Sequence, residues 1–367
     1  MFMDYQKCRM KVVQIIPQLS AGGAERFVVD LSNELSLRHD VVLVISFALT
    51  EQRAFYLPEV SERVKVCSLN KKSGFDSAYL YRLYKVIKNE APDVVHTHVA
   101  SFAHFALLKW LFPKVKFVHT VHSDAQFESG GKLMSFFKRV FFRQGWCKAV
   151  TISKKSDLSF KEFYSNKAES TLIYNGRSLN VKRSDKEFVP RVKGRYNLVS
   201  IGHISKVKNH LLLCQAVTEL TNNGAPIELY MFGRPVSEDI VNGIKNLNNP
   251  HIHMLGQVEN PRQYLHNADV FCMSSVIEGM PISLIEALSC GLTPICTAVG
   301  GIVDIVEDGK NGFLSQDMTV ESYVKAIERY LALTDNQKAE MKQQSIKSAQ
   351  KYSIEECAKQ YEVLFVE

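Results

Sequence analysis

The chain has 367 residues, of which 46% are hydrophobic and 23% charged, so it fits a soluble globular protein. Its length exceeds the roughly 100–200 residues of one domain, which predicts two domains, and no apolar run reaches the ~18 residues of a transmembrane helix. The net charge of +7 divides into +11 for residues 1–190 and −4 for residues 191–367. The basic half is therefore expected to face an anionic partner: a membrane, a nucleic acid or a phosphorylated substrate.

Short apolar runs alternate with helical patterns along the first half of the chain. Near-continuous apolar strands between helices predict an α/β domain with a doubly wound parallel sheet. Helices are predicted between strands, for example at Ala24–Ser36 and Phe75–Asn89. The predicted strands are Val12–Pro17, Val41–Phe47, Val64–Leu69, Val94–Thr97, Val115–His119, Ala149–Ser153 and Thr171–Tyr174.

The alternation stops at Gly176–Arg195, a polar stretch that we interpret as a linker, and then begins again. We therefore expect a second doubly wound domain, which gives boundaries of 1–185 and 186–352. The apolar-faced helix at 353–367 is predicted to pack back on the first domain. The second-domain strands are predicted at Tyr196–Ile201, Ile227–Phe232, His251–Leu255, Val270–Ser274 and Thr293–Cys296, with helices at His210–Leu220, Ile282–Leu288 and Val320–Leu333.

Two glutamates flank the start of a predicted helix in the second domain. A strand ends near Ser274, a loop carries Glu278, and the helix starts around Pro281 with Glu286 further along it. The free N–H groups and partial positive charge of a helix N-terminus favour an anion such as the diphosphate of a nucleotide-sugar. Glu286 can present its carboxylate to a diol. The alternative is a pair of surface glutamates, one of which stabilises the helix dipole.

The run EGMPISLIEA, followed by SCGLTPICTAVGGIVDIVEDGKNGF, resembles the C-terminal signature of the retaining glycosyltransferases of family 4, which have the GT-B fold. That fold has two Rossmann-like domains facing a central cleft. The resemblance implies that Glu286 holds the donor ribose and that Glu278 meets the donor sugar. Pro281 stands where many members have glycine and lacks an N–H group. The donor phosphates would then meet the backbone N–H groups of Gly279, Met280 and Ile282.

The segment GHISKVKNH, residues 202–210, is similar to the family's Gly-Arg…Lys element, which holds the donor diphosphate. Lys208 matches the lysine, and the alternative is a solvated lysine in the first helical turn. His203 replaces the arginine, and a histidine is only partly charged at neutral pH and lacks the guanidinium fork. Lys206 is a candidate to compensate. The sequence contains no Asp-x-Asp pair, so a metal is not expected.

Two groups of residues in the first domain complete the candidate site. The segment QLSAGGAER, residues 18–26, resembles a family loop that borders the donor phosphate and the acceptor. The resemblance assigns Gly23 to the donor and Gly22 and Arg26 to the acceptor; the alternative is a plain tight turn. Histidines also follow two strands, and a metal site formed by them is less expected than hydrogen-bonded histidines at a crevice rim. These histidines are His96, His98, His119 and His122. The resemblance gives His122 a contact with the donor sugar, and His98, the second choice, is assigned to the acceptor.

Residues 132–148 mix aromatic and basic side chains in KLMSFFKRVFFRQGWCK. An amphipathic helix on an anionic membrane surface and a core helix with snorkelling cations both fit this pattern. No nucleic-acid-binding module is recognisable. The protein is expected in the cytoplasm, either free or peripheral on the inner face of the cytoplasmic membrane.

The resemblance therefore implies a metal-independent glycosyltransferase that acts with retention, in surface polysaccharide or glycoconjugate synthesis. It would move a hexose or N-acetylhexosamine from a nucleotide-diphosphate sugar, with UDP favoured over GDP, to a glycan or polyprenyl-diphosphate-linked acceptor. His122, Glu278 and Lys208 are the catalytic candidates, with front-face transfer favoured. The alternatives are a GT-B nucleotide-sugar epimerase and a non-catalytic nucleotide- or glycan-binding protein.

Overall fold

A computed structural model of the chain describes residues 9–74, 76–99, 108–126, 128, 130–164, 167–180, 189–258 and 260–367. The chain forms two compact units. The first unit combines Met1–Arg177 with Ile354–Glu367, and the second unit is Ser178–Ser353.

The first unit contains a seven-stranded sheet in which all strand pairs are parallel. All seven predicted strands are present, and the order is β3-β2-β1-β4-β5-β6-β7. The strands are β1 Lys11–Ile16, β2 Asp40–Phe47, β3 Lys65–Lys71, β4 Val94–His98, β5 Lys116–Val121, β6 Lys148–Thr151 and β7 Ser170–Leu172. The helices between them are α1 Gly23–Leu35, α2 Ser77–Glu90, α3 Lys132–Arg143 and α4 Lys154–Tyr164.

The central strands of this sheet are buried along almost their whole length. Five of the six residues of β1 are buried, and so are all five of β4. The strand order reverses between β1 and β4, where Val12 pairs with Val94. Loops that leave the carboxyl ends of strands at such a switch point diverge and open a crevice for ligands.

The second unit repeats this plan with a six-stranded parallel sheet in the order β10-β9-β8-β11-β12-β13. The five predicted strands are present, and the sequence pattern missed the three-residue β13. The strands are β8 Tyr196–Ile201, β9 Ile227–Phe232, β10 Ile252–Gly256, β11 Val270–Met273, β12 Thr293–Thr297 and β13 Phe313–Ser315. The helices are α5 His210–Asn222, α6 Glu238–Asn246, α7 Ile282–Ser289, α8 Ile302–Ile305, α9 Val320–Leu331 and α10 Asp335–Ala349. The switch point of this sheet lies between β8 and β11.

The chain returns to the first unit through a last helix, α11 Ile354–Val366. Its Tyr361 hydroxyl lies 2.9 Å from the Thr120 hydroxyl at the end of β5, and its ring lies 6.2 Å from Phe27 on α1. Burial of this apolar face against α1 and the sheet holds the helix on the first unit.

The predicted linker Gly176–Arg195 is wrong at its start. Arg177 is fully buried, and its guanidinium donates to Asp30 on α1 over 2.5 Å. A buried arginine requires such a partner, because an unpaired charge in the interior is costly. Residues 181–188 of the predicted linker lie outside the described residues.

Candidate functional site

Two loops of the second unit meet at its switch point. One follows β8 and runs to Asn209, and the other follows β11 from Ser274. The Ser274 hydroxyl donates to the carbonyl oxygens of Lys208 and Asn209, each over 3.0 Å. The backbone N–H of Val276 donates to the Val207 carbonyl oxygen over 2.8 Å. These bonds hold the two loops in one arrangement and bring together residues that lie about 70 positions apart in sequence.

Glu278 lies at the centre of this loop pair. Its Oε1 accepts a hydrogen bond from Lys208 Nζ at 2.5 Å and another from the Ser275 hydroxyl at 2.6 Å. Ser275 is itself fully buried, and its carbonyl oxygen accepts from the Thr297 hydroxyl over 2.6 Å. The predicted Lys208 and Glu278 are therefore in direct contact. Sequence reasoning missed Ser275, although a serine three positions before the glutamate is a signal for such a contact.

Gly300 lets two loops approach more closely than any other residue would allow. Its φ of +54° is a left-handed conformation, and an added Cβ would overlap the carbonyl group of Glu278. The next residue, Gly301, donates its N–H to the carbonyl oxygen of Gly279 over 2.9 Å. The loop after β12 therefore packs closely against the backbone of Glu278 and Gly279.

Helix α7 starts directly after the loop that carries Glu278. Pro281 is the N-cap with extended ψ of 112°, and the helix begins at Ile282, as predicted. The first N–H groups of a helix have no intrahelical acceptor and carry a partial positive charge. The amides of Gly279, Met280 and Ile282 thus lie at or just before a helix N-terminus. Their contact with donor phosphates stays a prediction.

Glu286 is a buried residue of α7. One carboxylate oxygen lies 3.7 Å from Nε of Arg262, on the short 3₁₀ helix Pro261–Asn267. The Arg262 guanidinium also donates to the carbonyl oxygen of Ser178 over 2.8 Å. This arginine was missed by sequence reasoning, because nothing in its local pattern separates it from a surface residue. The ribose-binding role of Glu286 stays a prediction.

Lys206 and His203 are the two other candidate residues in the segment after β8, and their surroundings differ from those of Lys208. Lys206 is 72% exposed, and its Nζ pairs with Asp239 on α6 at 2.8 Å, which raises the pKa of the lysine. A diphosphate would have to compete with this carboxylate for Lys206. His203 is partly buried after the end of β8. The roles of both residues toward a diphosphate remain predictions.

The switch point of the first unit carries a chain of hydrogen-bonded side chains from three strands. Nε2 of His98 lies 2.8 Å from Oε1 of Gln14 on β1, and Nδ1 of His98 lies 3.0 Å from Nε2 of His122. The Phe27 ring packs edge-on against both imidazoles, at centroid distances of 6.2 and 5.7 Å. Gln14 was missed by sequence reasoning, because a lone glutamine in an apolar strand predicts nothing on its own.

The assignment of His98 to the acceptor stays a prediction, and the surroundings of this side chain do not favour it. The side chain is fully buried in β4, and both ring nitrogens are hydrogen-bonded to other side chains of the first unit. Burial lowers the pKa of His98 well below its usual value, so the ring is neutral. His122, in contrast, follows the end of β5 and keeps part of its surface exposed. Desolvation by the surrounding groups lowers the pKa of His122 to about 3.

His119 lies on the other face of the sheet from His96 and His98, because successive residues of a strand face opposite sides, whereas His96 and His98 share a face with their ring centroids 4.1 Å apart. Nε2 of His96 lies 2.7 Å from the Thr120 hydroxyl. Nδ1 of His119 lies 2.8 Å from the Thr97 hydroxyl, on the other face. Within the described residues, no group of three or more His, Cys, Asp or Glu side chains is arranged to hold a metal ion.

The glycine-rich loop after β1 ends at Gly22, the N-cap of α1. The Ser20 hydroxyl donates to the Glu25 carboxylate over 2.9 Å, and an added Cβ on Gly22 would overlap that carboxylate. Arg26 pairs with Asp30 at 2.9 Å and also with Glu59. The Arg26 guanidinium is therefore already engaged by two carboxylates. An acceptor contact for Arg26 and the contacts predicted for Gly22 and Gly23 stay predictions.

Helix α3 has features of both helices that the sequence allows for residues 132–148, a core helix and a membrane-surface helix. Phe141 and Phe142 pack in the core, and the buried Lys138 donates to the Glu128 carbonyl oxygen over 2.6 Å. Phe136 and Phe137 of the same helix are instead 61% and 45% exposed. We call the exposed set the basic-aromatic surface; it consists of Lys132, Phe136, Phe137, Arg139 and Arg143. No helix in the described ranges is both long enough and apolar enough to span a bilayer.

Comparison with known families accounts for nearly the whole chain. The family model for group 1 glycosyl transferases matches residues 181–351, and the model for glycosyltransferase family 4 matches residues 21–180. The chain belongs to the family 4, group 1 glycosyltransferases.

Two curated relatives of this glycosyltransferase cover most of its length. The UDP-Gal:alpha-D-GlcNAc-diphosphoundecaprenol alpha-1,3-galactosyltransferase of Escherichia coli is 26% identical over 89% of this chain and 88% of the relative. A Campylobacter jejuni alpha-1,4-N-acetyl-D-galactosaminyltransferase that acts on a GalNAc-containing, undecaprenol-diphosphate-linked glycan is 27% identical over 83% of this chain and 84% of the relative.

Solved structures show the fold of this glycosyltransferase to be GT-B. A glycosyltransferase from Rickettsia africae superimposes with a TM-score of 0.82 at 18% identity, covering 97% of this chain and 98% of that one. Anabaena Alr3699/HepE, solved with UDP and glucose, has a TM-score of 0.80 at 16% identity and covers 98% and 100% of the two chains. The α/β fold class predicted from the sequence is confirmed.

Replacing Ser275 with alanine is expected to lower the turnover number of this glycosyltransferase by about tenfold, the effect of losing one hydrogen bond to a charged group. Glu278 would keep Lys208 but lose the donor that fixes its orientation. The measurement is steady-state transfer, with Ser237→Ala as the control, because the Ser237 side chain makes no capping bond at α6. Equal turnover of both variants would remove Ser275 from the site.

Proposed function

We propose that this glycosyltransferase transfers a hexose or N-acetylhexosamine, with retention, from a UDP-sugar to a polyprenyl-diphosphate-linked glycan. The observation that carries the proposal is the contact of Lys208 and Ser275 with Glu278 at the second-unit switch point. UDP is favoured because the Escherichia coli relative is named for UDP-Gal. The lipid-linked acceptor is favoured because both curated relatives are named for diphosphoundecaprenol-linked substrates. The products would serve surface polysaccharide or glycoconjugate synthesis.

In this proposal the second unit binds the donor. Lys208 and the N-terminus of α7 neutralise the diphosphate, and the amides of Gly279, Met280 and Ile282 donate to its oxygens. Glu286 accepts hydrogen bonds from the ribose hydroxyls. The cationic side chain and the helix end replace a metal ion in this role.

We assign the acceptor to the first unit, and the family resemblance assigns to His122 a contact with the donor sugar. The bond from the anomeric carbon to the diphosphate oxygen breaks, and the acceptor oxygen bonds to the same face of that carbon. The acceptor hydroxyl proton passes to the leaving diphosphate, so no protein base is required. Lys208 stabilises the negative charge that develops on the diphosphate, and Glu278 and His122 orient the sugar.

The test begins with a thermal-shift screen of UDP- and GDP-sugars on the purified protein. A stabilising donor is then incubated with undecaprenyl-diphosphate-linked GlcNAc and other lipid-linked saccharides, with and without EDTA. We expect a glycosylated lipid whose new linkage keeps the donor's anomeric configuration, at a rate that EDTA does not change. Isomerisation of the donor without any acceptor would establish an epimerase instead. A lack of binding to every donor would contradict the proposal.

The proposal includes peripheral binding to an anionic membrane through the basic-aromatic surface. Exposed aromatic rings enter the headgroup region, and each nearby Lys or Arg is attracted to anionic lipids. Trp110, 68% exposed and 5.0 Å from the Trp146 ring, adds a further aromatic group to the first unit. A lipid-linked acceptor would reach an enzyme held at such a surface.

We expect the protein to sediment with phosphatidylglycerol-containing vesicles at low salt and to be released as salt is raised, because screening weakens the attraction. A Phe136→Ser/Phe137→Ser variant should remain largely in the supernatant. Leu37→Ser, at an equally exposed leucine after α1, is the control and should sediment like the wild type. Equal recovery of the wild type in the soluble fraction with anionic and with phosphatidylcholine vesicles would contradict membrane binding.

A further inference from the structure

The side chains of Gln14, His98 and His122 form one continuous hydrogen-bonded chain in the first unit. Gln14 and His98 are fully buried, whereas His122 at the end of the chain keeps part of its surface exposed. The chain thus runs from the interior of the sheet to an imidazole that is only partly buried. Because the hydrogen bonds of this chain are connected, the position of the hydrogen in each bond determines its position in the next, as far as the imidazole of His122.

The donor and acceptor roles follow from the inner end of the chain. In the amide orientation that the structure gives Gln14, its Oε1 faces Nε2 of His98 and can only accept, so Nε2 of His98 carries a hydrogen. A neutral imidazole has a single N–H, so Nδ1 of His98 is an acceptor. The hydrogen between the two imidazoles therefore belongs to Nε2 of His122. Nδ1 of His122 is then left without a hydrogen and can only accept.

Burial favours the neutral form of the His98 and His122 imidazoles, and the hydrogen-bond assignment requires this form. Desolvation lowers the pKa of His98 well below its usual value and lowers the pKa of His122 to about 3. The edge of Phe27 against both rings restricts their rotation. The imidazole of His122 is thus held in one orientation by one hydrogen bond and one aromatic contact.

We propose that Gln14 and His98 are positioning residues that hold His122 as the Nε2–H tautomer, with Nδ1 as a fixed hydrogen-bond acceptor for a hydroxyl group of the donor sugar. This inference rests on the proposed function, since it takes the sugar as the ligand of His122. A neutral acceptor attracts a hydroxyl and repels a phosphate oxygen. His122 would therefore bind a sugar hydroxyl group in preference to a phosphate group.

The variants separate positioning from packing. His98→Leu fills the space but removes both ring nitrogens, whereas His98→Asn keeps a carbonyl oxygen near the place of Nδ1. Gln14→Met keeps the length of the side chain and removes its acceptor. His119→Leu is the matched control, because His119 is equally buried on β5 but bonds to Thr97 on the other face of the sheet.

The first measurement is the long-range proton–nitrogen NMR spectrum of histidine-labelled protein, with thermal unfolding to verify that each variant is folded. We expect the wild type and His119→Leu to show His122 protonated at Nε2. His98→Leu should show a mixture of His122 tautomers, and His98→Asn should restore the Nε2–H form. A wild-type His122 protonated at Nδ1 would overturn the proposal.

The second measurement is steady-state transfer by the same proteins. We expect kcat/KM to fall about 10²-fold in His98→Leu, the effect of a misplaced orienting group, and to recover in His98→Asn. Gln14→Met should lower it as well, and His119→Leu should leave it near the wild-type value. Wild-type tautomer and kinetics in His98→Leu would refute the positioning role. If the wild type transfers no sugar at all, the proposed function fails, and the spectra alone still decide the tautomer.

Discussion

A Lys208→Ala variant is expected to lose about 10²–10³-fold in turnover, the usual effect of removing one group that stabilises developing charge. The departing diphosphate gains negative charge as the anomeric bond breaks, and Lys208 is the cation that the structure holds beside Glu278. The loss should fall on kcat more than on donor KM, because the interaction strengthens in the transition state.

Two controls make the Lys208 result specific. Lys208→Arg keeps the charge but changes the geometry, so it should recover only part of the turnover. Lys325→Ala removes an exposed lysine of α9 that pairs with Glu321 at 2.6 Å, and it should stay close to the wild type. Steady-state kinetics over a range of donor concentrations gives both parameters. Equal turnover of Lys208→Ala and Lys325→Ala would exclude Lys208 from the chemistry.

A Glu286→Ala variant is expected to raise donor KM by about 10–100-fold with little change in kcat. Hydrogen bonds to a charged carboxylate contribute about 1.5–3 kcal/mol each, and the ribose is bound equally before and during the reaction. The effect should therefore appear in affinity. Isothermal titration with the donor and with the free nucleoside diphosphate measures it directly, and both ligands should weaken by the same factor because both contain the ribose.

Removal of Glu286 also leaves Arg262 without its carboxylate neighbour, so stability must be measured beside affinity. Glu286→Gln keeps the shape of the side chain and separates loss of charge from loss of packing. Glu340→Ala, an exposed position on α10, is the control for a lost negative charge in the second unit. Unchanged donor affinity in a folded Glu286→Ala protein would assign the ribose to another residue.

The candidate site residues of the second unit could be named from the sequence because the patterns that mark them are local. The strand–loop–helix pattern around Glu278 and Glu286, and the lysine after β8, are fixed by spacing within short segments. The same holds for the two sheets, since near-continuous apolar runs between helices specify parallel strands. The missed helix α10 is mostly polar, with Met341, Ser345 and Ala349 as its buried residues, so its helical period is weak.

The amino-acid sequence by itself determined the α/β class, the two-domain plan and the chemical nature of the candidate residues. Only the tertiary structure decided which of them touch. His98 reaches His122 and Gln14, and His119 bonds to Thr97, because strand order and register place these side chains on opposite faces of the sheet. Register is a property of strands distant in sequence, and local periodicity does not contain it. The hydrogen bond from Ser275 to Glu278 and the burial of Arg177 likewise depend on the tertiary structure, so the sequence did not predict them.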